Sequence, residues 1–377
     1  MGTAERELRD VARDFLSSHS PVSHARRLLD SEAGFDRRIW QLMSGMDWMA
    51  LGHPVDVGGA GGGMLHLAVL YREMGRVLLS SPALYSSVIC GYLLERLPAA
   101  DLPLGSVLSG ERIVASALAV SGTASAREDA PGFELRRQAG GGRLDGRARM
   151  VPYANSAGHC LIAARVAGQD DPVGSFSLVL ADLHGPGVVL RQMPNIAGLP
   201  LFELTLTGVR LADKDVLGRG GPALQAAQSA LARASVLRAA EIAGAGEAVL
   251  ELAAQYAKDR VQFGHAIGSY QAVQYLCTDI AIAVHVTSLL VYAAAAAVDA
   301  GGDPGYHVAA ARAYAGRAAG TIARCAHEIF AGVGFMLEHD LPLYSRRLRH
   351  WEADLGTEDL HRERLVQALL GGRKENG

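Results

Sequence analysis

The sequence predicts a multidomain α+β chain with an N-terminal α-helical domain, a small central β-barrel or sandwich, and a C-terminal four-helix bundle. The main observation is that the hydrophobic period changes twice along the chain, from a helical period to a strand period and back. The second is length, because 377 residues are too many for one ordinary hydrophobic core. The changes of period predict domains at residues 1–111, 112–218 and 219–377.

The first third has apolar residues three and four positions apart, separated by Pro and Gly clusters such as Gly58–Gly63. This spacing predicts helices at Glu5–Ser17, Arg37–Met46, Met64–Leu78 and Ser87–Leu94. The first domain is therefore expected to be mostly α-helical.

The middle third consists of short alternating or apolar runs, broken by turn sequences such as His184–Gly187. The predicted strands are Ile113–Val120, Phe133–Arg137, Arg143–Val151, Cys160–Val166, Phe176–Ala181, Val188–Met193 and Leu201–Val209. Short strands at such regular spacing are typical of a small barrel or sandwich.

The last third returns to a helical period, and its predicted helices are long. They are Pro222–Asp259, Gln271–Ala300, His307–Phe330 and the shorter Leu360–Leu370. Three of them end at glycine, a common C-terminal stop. Long helices that are rich in alanine and apolar around much of their circumference predict an antiparallel bundle.

Composition excludes several classes of function. The net charge is −3 and no basic block stands out, so we expect no nucleic-acid partner. The charged start and the interrupted apolar runs predict a cytoplasmic protein without a membrane span. The 4 cysteines are far apart and the 13 histidines form no ligand pattern, so no metal site is expected.

Three segments resemble one known family, in the family's order and spacing. Residues 256–267, followed by 271–274, match an R-x-x-F-G…Q motif; residues 328–338 match a glycine-rich turn; residues 54–59 and 72–76 match P-x-x-x-G-G…E-x-G-R. On these motifs the chain resembles the acyl-CoA dehydrogenases. The resemblance implies their fold, an FAD cofactor, an acyl-CoA or acyl-carrier thioester as substrate, a homo- or hetero-oligomer (dimer or tetramer), and an electron-transfer acceptor.

The resemblance also implies which residues contact the cofactor and the substrate. FAD contacts are implied for Arg260, Phe263, Gln271, Glu328, Gly332 and Thr357, and a contact near the thioester for Ser125. By residue chemistry alone, Arg260 fits either a phosphate ligand or a solvated helix end, and Gly332 fits either a cofactor turn or a helix cap. In the family, this arginine and this turn serve FAD held mainly by a neighbouring subunit.

The base that the family's reaction needs is missing from both of its usual places. Desaturation of an acyl thioester requires a carboxylate to remove the α proton while the β hydrogen leaves as hydride. The family's E-G-T sequence reads Leu355-Gly-Thr here, and the alternative position on the first bundle helix is Ala234. Nearby carboxylates are Glu241 and Asp354, with Glu352 and Glu358 also close in sequence.

The middle domain departs from the family as well. Residues 117–126 keep only scattered matches to the family's A-L-T-E-P-x-A-G-S-D. Where the family has W-I-T-N or Y-I-T-N beside the flavin ring, this chain has Met150–Tyr153. Pro152 offers neither a hydroxyl nor a backbone N–H.

Three functions remain open at the level of sequence. The chain could be an acyl-CoA dehydrogenase with a displaced base. It could be a base-less partner subunit of a hetero-oligomeric dehydrogenase, a role that includes a non-enzymatic scaffold. It could also be a flavin monooxygenase on the same fold, since oxygen chemistry does not need the α-proton base.

Overall fold

The computed structural model describes residues 2–29, 31–118 and 132–371. Within these residues the helices are α1 (Thr3–His19), α2 (Val22–Leu28), α3 (Arg37–Gly45), α4 (Met64–Arg76), α5 (Gly91–Arg96), α6 (Leu104–Leu108), α7 (Gly220–Asp259), α8 (Gln271–Asp299), α9 (Gly305–Phe330), α10 (Leu341–Ala353) and α11 (Glu358–Gly371). A π-helical segment, Leu84–Cys90, precedes α5.

The strands lie between α6 and α7, with one further hairpin after α7. They are β1 (Val114–Ala117), β2 (Phe133–Gln138), β3 (Gly141–Pro152), β4 (His159–Val166), β5 (Phe176–Asp182), β6 (Val188–Met193), β7 (Leu201–Ala212), β8 (Val216–Arg219), β9 (Val261–Gln262) and β10 (His265–Ala266). The helix, strand, helix order predicted from the sequence is thus confirmed.

The chain divides into two compact units. The helical unit comprises Met1–Arg27, Gly63–Leu79 and Ser235–Gly377, and the sheet unit comprises Leu28–Gly62 and Ser80–Ala234. The three predicted domain boundaries follow the element types along the sequence and stay a prediction.

The sheet unit contains one large mixed sheet. Its strand order is β6-β7-β3-β2-β4-β5-β8, with β1 paired to β4. The pairs β1–β4 and β2–β4 are parallel and the others are antiparallel. Alternate side chains such as Leu135, Leu144 and Leu204 are buried, so one side of these strands packs into the core.

The helical unit depends on a close crossing of α4 and α7. A Cβ atom added to Gly75 would overlap the backbone of Glu241, and one added to Gly244 would overlap the carbonyl oxygen of Arg72. Only glycine permits this approach. The crossing is flanked by an ion pair between Arg72 and Glu247 at 3.0 Å.

Helix α8 corrects one expectation from the sequence. It is long and apolar enough, by length and composition alone, to cross a membrane, whereas the interrupted apolar runs of the sequence predict no such segment. Its buried residues include Ile280, Val284 and Val291, which pack inside the helical unit. The core helix of a protein can have the same length and composition. On the side of α8 that carries these buried residues, packing accounts for the apolar character.

Candidate functional site

The hairpin after α7 presents an aromatic ring to solvent. Strands β9 and β10 pair in antiparallel fashion, and Phe263 and Gly264 form the two-residue turn with φ of 52° and 82°. Two positive φ values in succession define a type I′ turn, which normally selects Asn or Gly at its first position. Phe263 is 92% exposed. An exposed phenylalanine in a strained backbone conformation is costly in an isolated chain, which points to a binding role.

Arg260 lies at the base of this hairpin, directly after α7, and its side chain is exposed. Its carbonyl oxygen accepts a hydrogen bond from the N–H of Ile267 at 2.8 Å, which closes the hairpin. Among the described residues, no carboxylate pairs with its guanidinium. The group is thus available to a ligand. Gln271 is likewise exposed, as the first residue of α8.

An aromatic stack joins this hairpin to the glycine-rich turn after α9. The rings of Tyr256 and Phe330 lie 4.5 Å apart with an interplanar angle of 27°. Tyr256 is four residues before Arg260, and Phe330 is two residues before Gly332. The fold therefore brings together two segments for which the family resemblance implies FAD contacts.

The special backbone of the glycine-rich turn is not at Gly332. The residue with positive φ is Ala331 (φ 48°), and Gly334 is the glycine in close contact, since an added Cβ would lie 2.9 Å from Phe330. A Cβ on Gly332 would meet open space within this chain. A requirement for glycine at that position would come from a neighbour outside the chain. The turn continues into three exposed apolar residues, Phe335, Met336 and Leu337.

Glu328 does not present a free negative charge at this site. Its carboxylate accepts a hydrogen bond from Arg324, one helical turn earlier on α9, at 2.8 Å. This exposed pair offsets the repulsion that an unpaired carboxylate would exert on a nearby phosphate.

Neither of the two base positions holds a proton acceptor. Ala234 is 0% exposed in α7. Leu355 lies in the turn between α10 and α11 with φ of 60°. The hydroxyl of Thr357, in the same turn, accepts a hydrogen bond from the N–H of Leu360 at 3.4 Å and so caps α11.

The turn that carries Leu355 is fixed by two buried side chains. Arg312 of α9 donates from Nη2 to the carbonyl oxygens of Trp351, Asp354 and Gly356. The ring of His361 lies 3.1 Å, by Nε2, from the carbonyl oxygen of Leu355. Burial lowers the pKa of Arg312 to about 10. The turn is therefore rigidly placed even though its central side chain is inert.

The candidate replacement bases are already engaged by an arginine. Arg238 donates to Asp354 at 2.9 Å and also to Glu241. Glu241 is only 6% exposed. Burial raises the pKa of Glu241 to about 7, against the opposing effect of Arg238. Glu241 combines a pKa suited to a general base with a position that is closed to solvent.

Arg347 is the buried member of a basic run on α10 that also includes Arg346 and Arg349. Its guanidinium carbon lies 5.7 Å from the ring centre of Trp351. Arg238 approaches the same ring at 5.3 Å. Two arginines thus flank one indole beside Asp354.

Replacing Glu241 with glutamine is expected to change the pH dependence of stability. Burial raises the pKa of Glu241 from 4.5 to about 7, so its favourable contribution is lost as the pH rises through about 7. Burial also lowers the pKa of His350 to about 4 and that of His361 to about 3, which makes stability rise with pH below their ordinary pKa. The variant keeps both histidines.

The difference between the two proteins therefore isolates Glu241. Relative to Glu241→Gln, the wild type is expected to lose roughly 1–3 kcal/mol of unfolding free energy between about pH 5 and pH 8. Urea unfolding across this range measures it. A difference that stays constant with pH contradicts the raised pKa.

The structure adds little about the other residues that the sequence singled out. Ser125 lies outside the described residues. Pro152 is buried at the end of β3, opposite Leu201. Among residues 2–29, 31–118 and 132–371, no group of His, Cys, Asp and Glu side chains could hold a metal ion.

Comparison with solved structures defines the class of protein. The fold is similar to that of glutaryl-coenzyme A dehydrogenase in complex with glutaryl-CoA, with a TM-score of 0.89, 21% identity and coverage of 98% of this chain and 96% of that chain. It is similar to the ChsE4–ChsE5 complex from Mycobacterium tuberculosis, with a TM-score of 0.87, 24% identity and 98% of both chains covered. The fold is therefore that of acyl-CoA dehydrogenases.

Sequence comparison then gives the family. Family models for the acyl-CoA dehydrogenase N-terminal and C-terminal domains match residues 3–100 and 224–370. The probable acyl-CoA dehydrogenase FadE25 of Mycobacterium tuberculosis is 26% identical over 97% of this chain and 95% of its own length. The chain belongs to the acyl-CoA dehydrogenase family. The fold and the acyl-CoA dehydrogenase-like function that the resemblance implied are thereby confirmed.

Proposed function

We propose that this chain is a subunit of an FAD-dependent oligomer that desaturates an acyl thioester between its α and β carbons. The observation that carries the proposal is the hairpin that presents Arg260 and Phe263 to solvent beside the turn at Gly332. Both segments have groups suited to binding a dinucleotide. No described residue of this chain takes up the binding capacity of these groups. FAD, when bound, accepts the hydride from the β carbon.

The residues around the hairpin fit a diphosphate. An exposed guanidinium at Arg260 can donate two parallel hydrogen bonds to phosphate oxygens. Phe263 offers an apolar wall and Gln271 an amide, both exposed. Gly332 leaves room for close approach of the cofactor, and Glu328 can accept from ribose hydroxyls while paired with Arg324. We propose that Thr357 also contacts this FAD.

An exposed apolar stripe on α8 supports assembly with a second subunit. Tyr275, Ile282 and Leu289 are each more than half exposed and stand seven residues apart, which places them on one face. A stripe of this kind is typical of an oligomer interface. The ChsE4–ChsE5 structure is itself a complex of two different proteins. Because Leu355 and Ala234 cannot act as the base, we propose that the catalytic carboxylate belongs to a partner subunit.

The visible spectrum of the purified chain tests cofactor and chemistry together. Under this proposal the chain is colourless or only partly loaded with FAD when purified alone. It becomes yellow when co-expressed with a base-containing paralogue, and the complex bleaches with acyl-CoA or acyl-carrier substrates. A homo-oligomer that is yellow and bleaches by itself overturns the base-less assignment. Bleaching only with NADH or reduced flavin, followed by oxygen consumption, would indicate a monooxygenase.

A second candidate keeps the base within this chain. The raised pKa of Glu241, caused by burial, is the observation that favours it. In that case Glu241→Gln abolishes bleaching by an acyl-CoA while FAD content is unchanged. Glu251→Gln serves as the matched control, because Glu251 is a carboxylate on the same helix that is likewise paired with an arginine, Arg76, at 2.8 Å.

A further inference from the structure

Strand register gathers six arginines on one side of the sheet unit. They lie on the four neighbouring strands β6, β7, β3 and β2, and alternate with side chains that are buried. We call this set the arginine face: Arg136, Arg143, Arg147, Arg149, Arg191 and Arg210, all exposed. The residues are spread over 75 positions of the sequence, from 136 to 210, so no basic block marks them in the sequence.

Three of these arginines form a row across three strands. Arg136 is directly opposite Arg143 in the β2–β3 pair, and Arg143 is directly opposite Arg210 in the β3–β7 pair. Like charges in directly opposite positions destabilise strand pairing. Within residues 2–29, 31–118 and 132–371, only Arg136 of this row is paired with a carboxylate, Glu134, at 2.8 Å. The row opposes the stability of the sheet, so its benefit must lie outside the sheet.

The other three arginines converge on one carboxylate. Glu203 lies 3.7 Å from Arg147, 3.7 Å from Arg149 and 3.2 Å from Arg191. The side chain of Glu203 is 10% exposed, whereas the arginines are 57%, 65% and 70% exposed. One buried carboxylate thus orients three guanidinium groups, and in the part of the chain that the structure describes two of the three positive charges have no carboxylate of their own.

The whole face has a positive surplus within a negatively charged chain. Three carboxylates share this side of the four strands, Glu134, Asp145 and Glu203, and Asp145 already accepts the N–H of Gly208 at 2.6 Å. Six arginines minus three carboxylates give +3, in a chain whose net charge is −3. A local surplus of opposite sign to the whole chain produces a focused field rather than general attraction.

We propose that the arginine face docks a partner protein with an acidic, carboxylate-rich surface. Arginine forks bind carboxylates with defined geometry. Val189, 60% exposed on the edge strand β6, is opposite Thr205, which is opposite Arg147, so an apolar contact stands among the charges. Protein interfaces combine such contacts with arginine. The net negative charge of the chain and the central Glu203 oppose a long polyphosphate.

The proposal is tested with a labelled helical peptide that carries glutamates and one leucine face, by fluorescence anisotropy. The triple variant Arg136→Glu, Arg143→Glu, Arg210→Glu is expected to weaken binding by about 10-fold or more, and higher salt to weaken wild-type binding. Arg38→Glu, Arg112→Glu, Arg219→Glu is the matched control, because these arginines are exposed in the same unit but outside the four strands. The control is expected to bind within about 3-fold of the wild type.

Further arms separate a protein partner from other anions. Val189→Ser is expected to weaken the peptide about 3-fold without changing the binding of poly-glutamate, since only the peptide offers an apolar face. No binding by the wild type, or equal losses in the two triple variants, overturns the proposal. Tighter binding to single-stranded DNA or to phosphatidylserine vesicles than to the peptide also overturns it. The neutral series Arg136→Gln, Arg143→Gln, Arg210→Gln, with unchanged thermal melting, separates lost charge from misfolding.

Discussion

Replacing Gly244 with alanine is expected to destabilise the helical unit by about 4 kcal/mol or more. The added Cβ would overlap the carbonyl oxygen of Arg72, which is a backbone atom and cannot move by rotating a side chain. Because Gly75 faces the backbone of Glu241 in the same crossing, the two helices are in backbone contact at both glycines and cannot shift locally to make room. Helices α4 and α7 would have to separate, which also lengthens the ion pair between Arg72 and Glu247 from its present 3.0 Å.

Urea unfolding of the purified variant measures this effect. Gly302→Ala is the matched control, because Gly302 is in the same unit, lies outside a helix, and would place its Cβ in open space. The control is expected to be neutral or slightly stabilising, since alanine restricts the unfolded chain. Similar stabilities for the two variants contradict the close crossing.

The sequence predicts the long elements well because periodicity accumulates over many turns. Helices α7, α8 and α9 were predicted within a few residues of their observed bounds. Helix α10 was missed, although Leu341, Tyr344, Leu348 and Trp351 have helical spacing and are buried. The run of arginine and histidine between them concealed the apolar stripe. The helical spacing of these apolar residues is the signal in the sequence that predicts the helix.

The candidate site was predictable in its parts but not in its assembly. The motif residues on the hairpin and on the glycine-rich turn are legible in the sequence, whereas the stack of Tyr256 on Phe330 that joins them is a tertiary contact. The same holds for Arg238, whose pairing with Glu241 has helical spacing but whose contact with Asp354 spans 116 residues. Strand register cannot be read from the sequence either, so the arginine face could not be predicted.

The turn between α10 and α11 suggests how the missing base could be restored. Arg312 holds the carbonyl oxygens on either side of Leu355, and the ring of His361 lies against the carbonyl oxygen of Leu355 itself. These contacts involve only backbone atoms of the turn. A different side chain at Leu355 therefore leaves the turn in place, and glutamate tolerates φ of 60° no worse than leucine does.

Under the proposed function, Leu355→Glu is expected to raise the rate of acyl-CoA-dependent flavin bleaching by about 10²–10⁴-fold, the usual contribution of a positioned general base. The rate is measured anaerobically in the FAD-reconstituted oligomer of this chain alone, because a base-containing partner subunit would already supply a carboxylate to the wild-type complex. Leu355→Gln is the control of equal size without a base, and it is expected to leave the rate at the wild-type level. Equal rates in the glutamate and glutamine variants show that proton abstraction does not depend on this position. If those equal rates are already fast, the base is assigned to Glu241, whose pKa is raised by burial to about 7. If they are slow, the base stays assigned to the partner subunit.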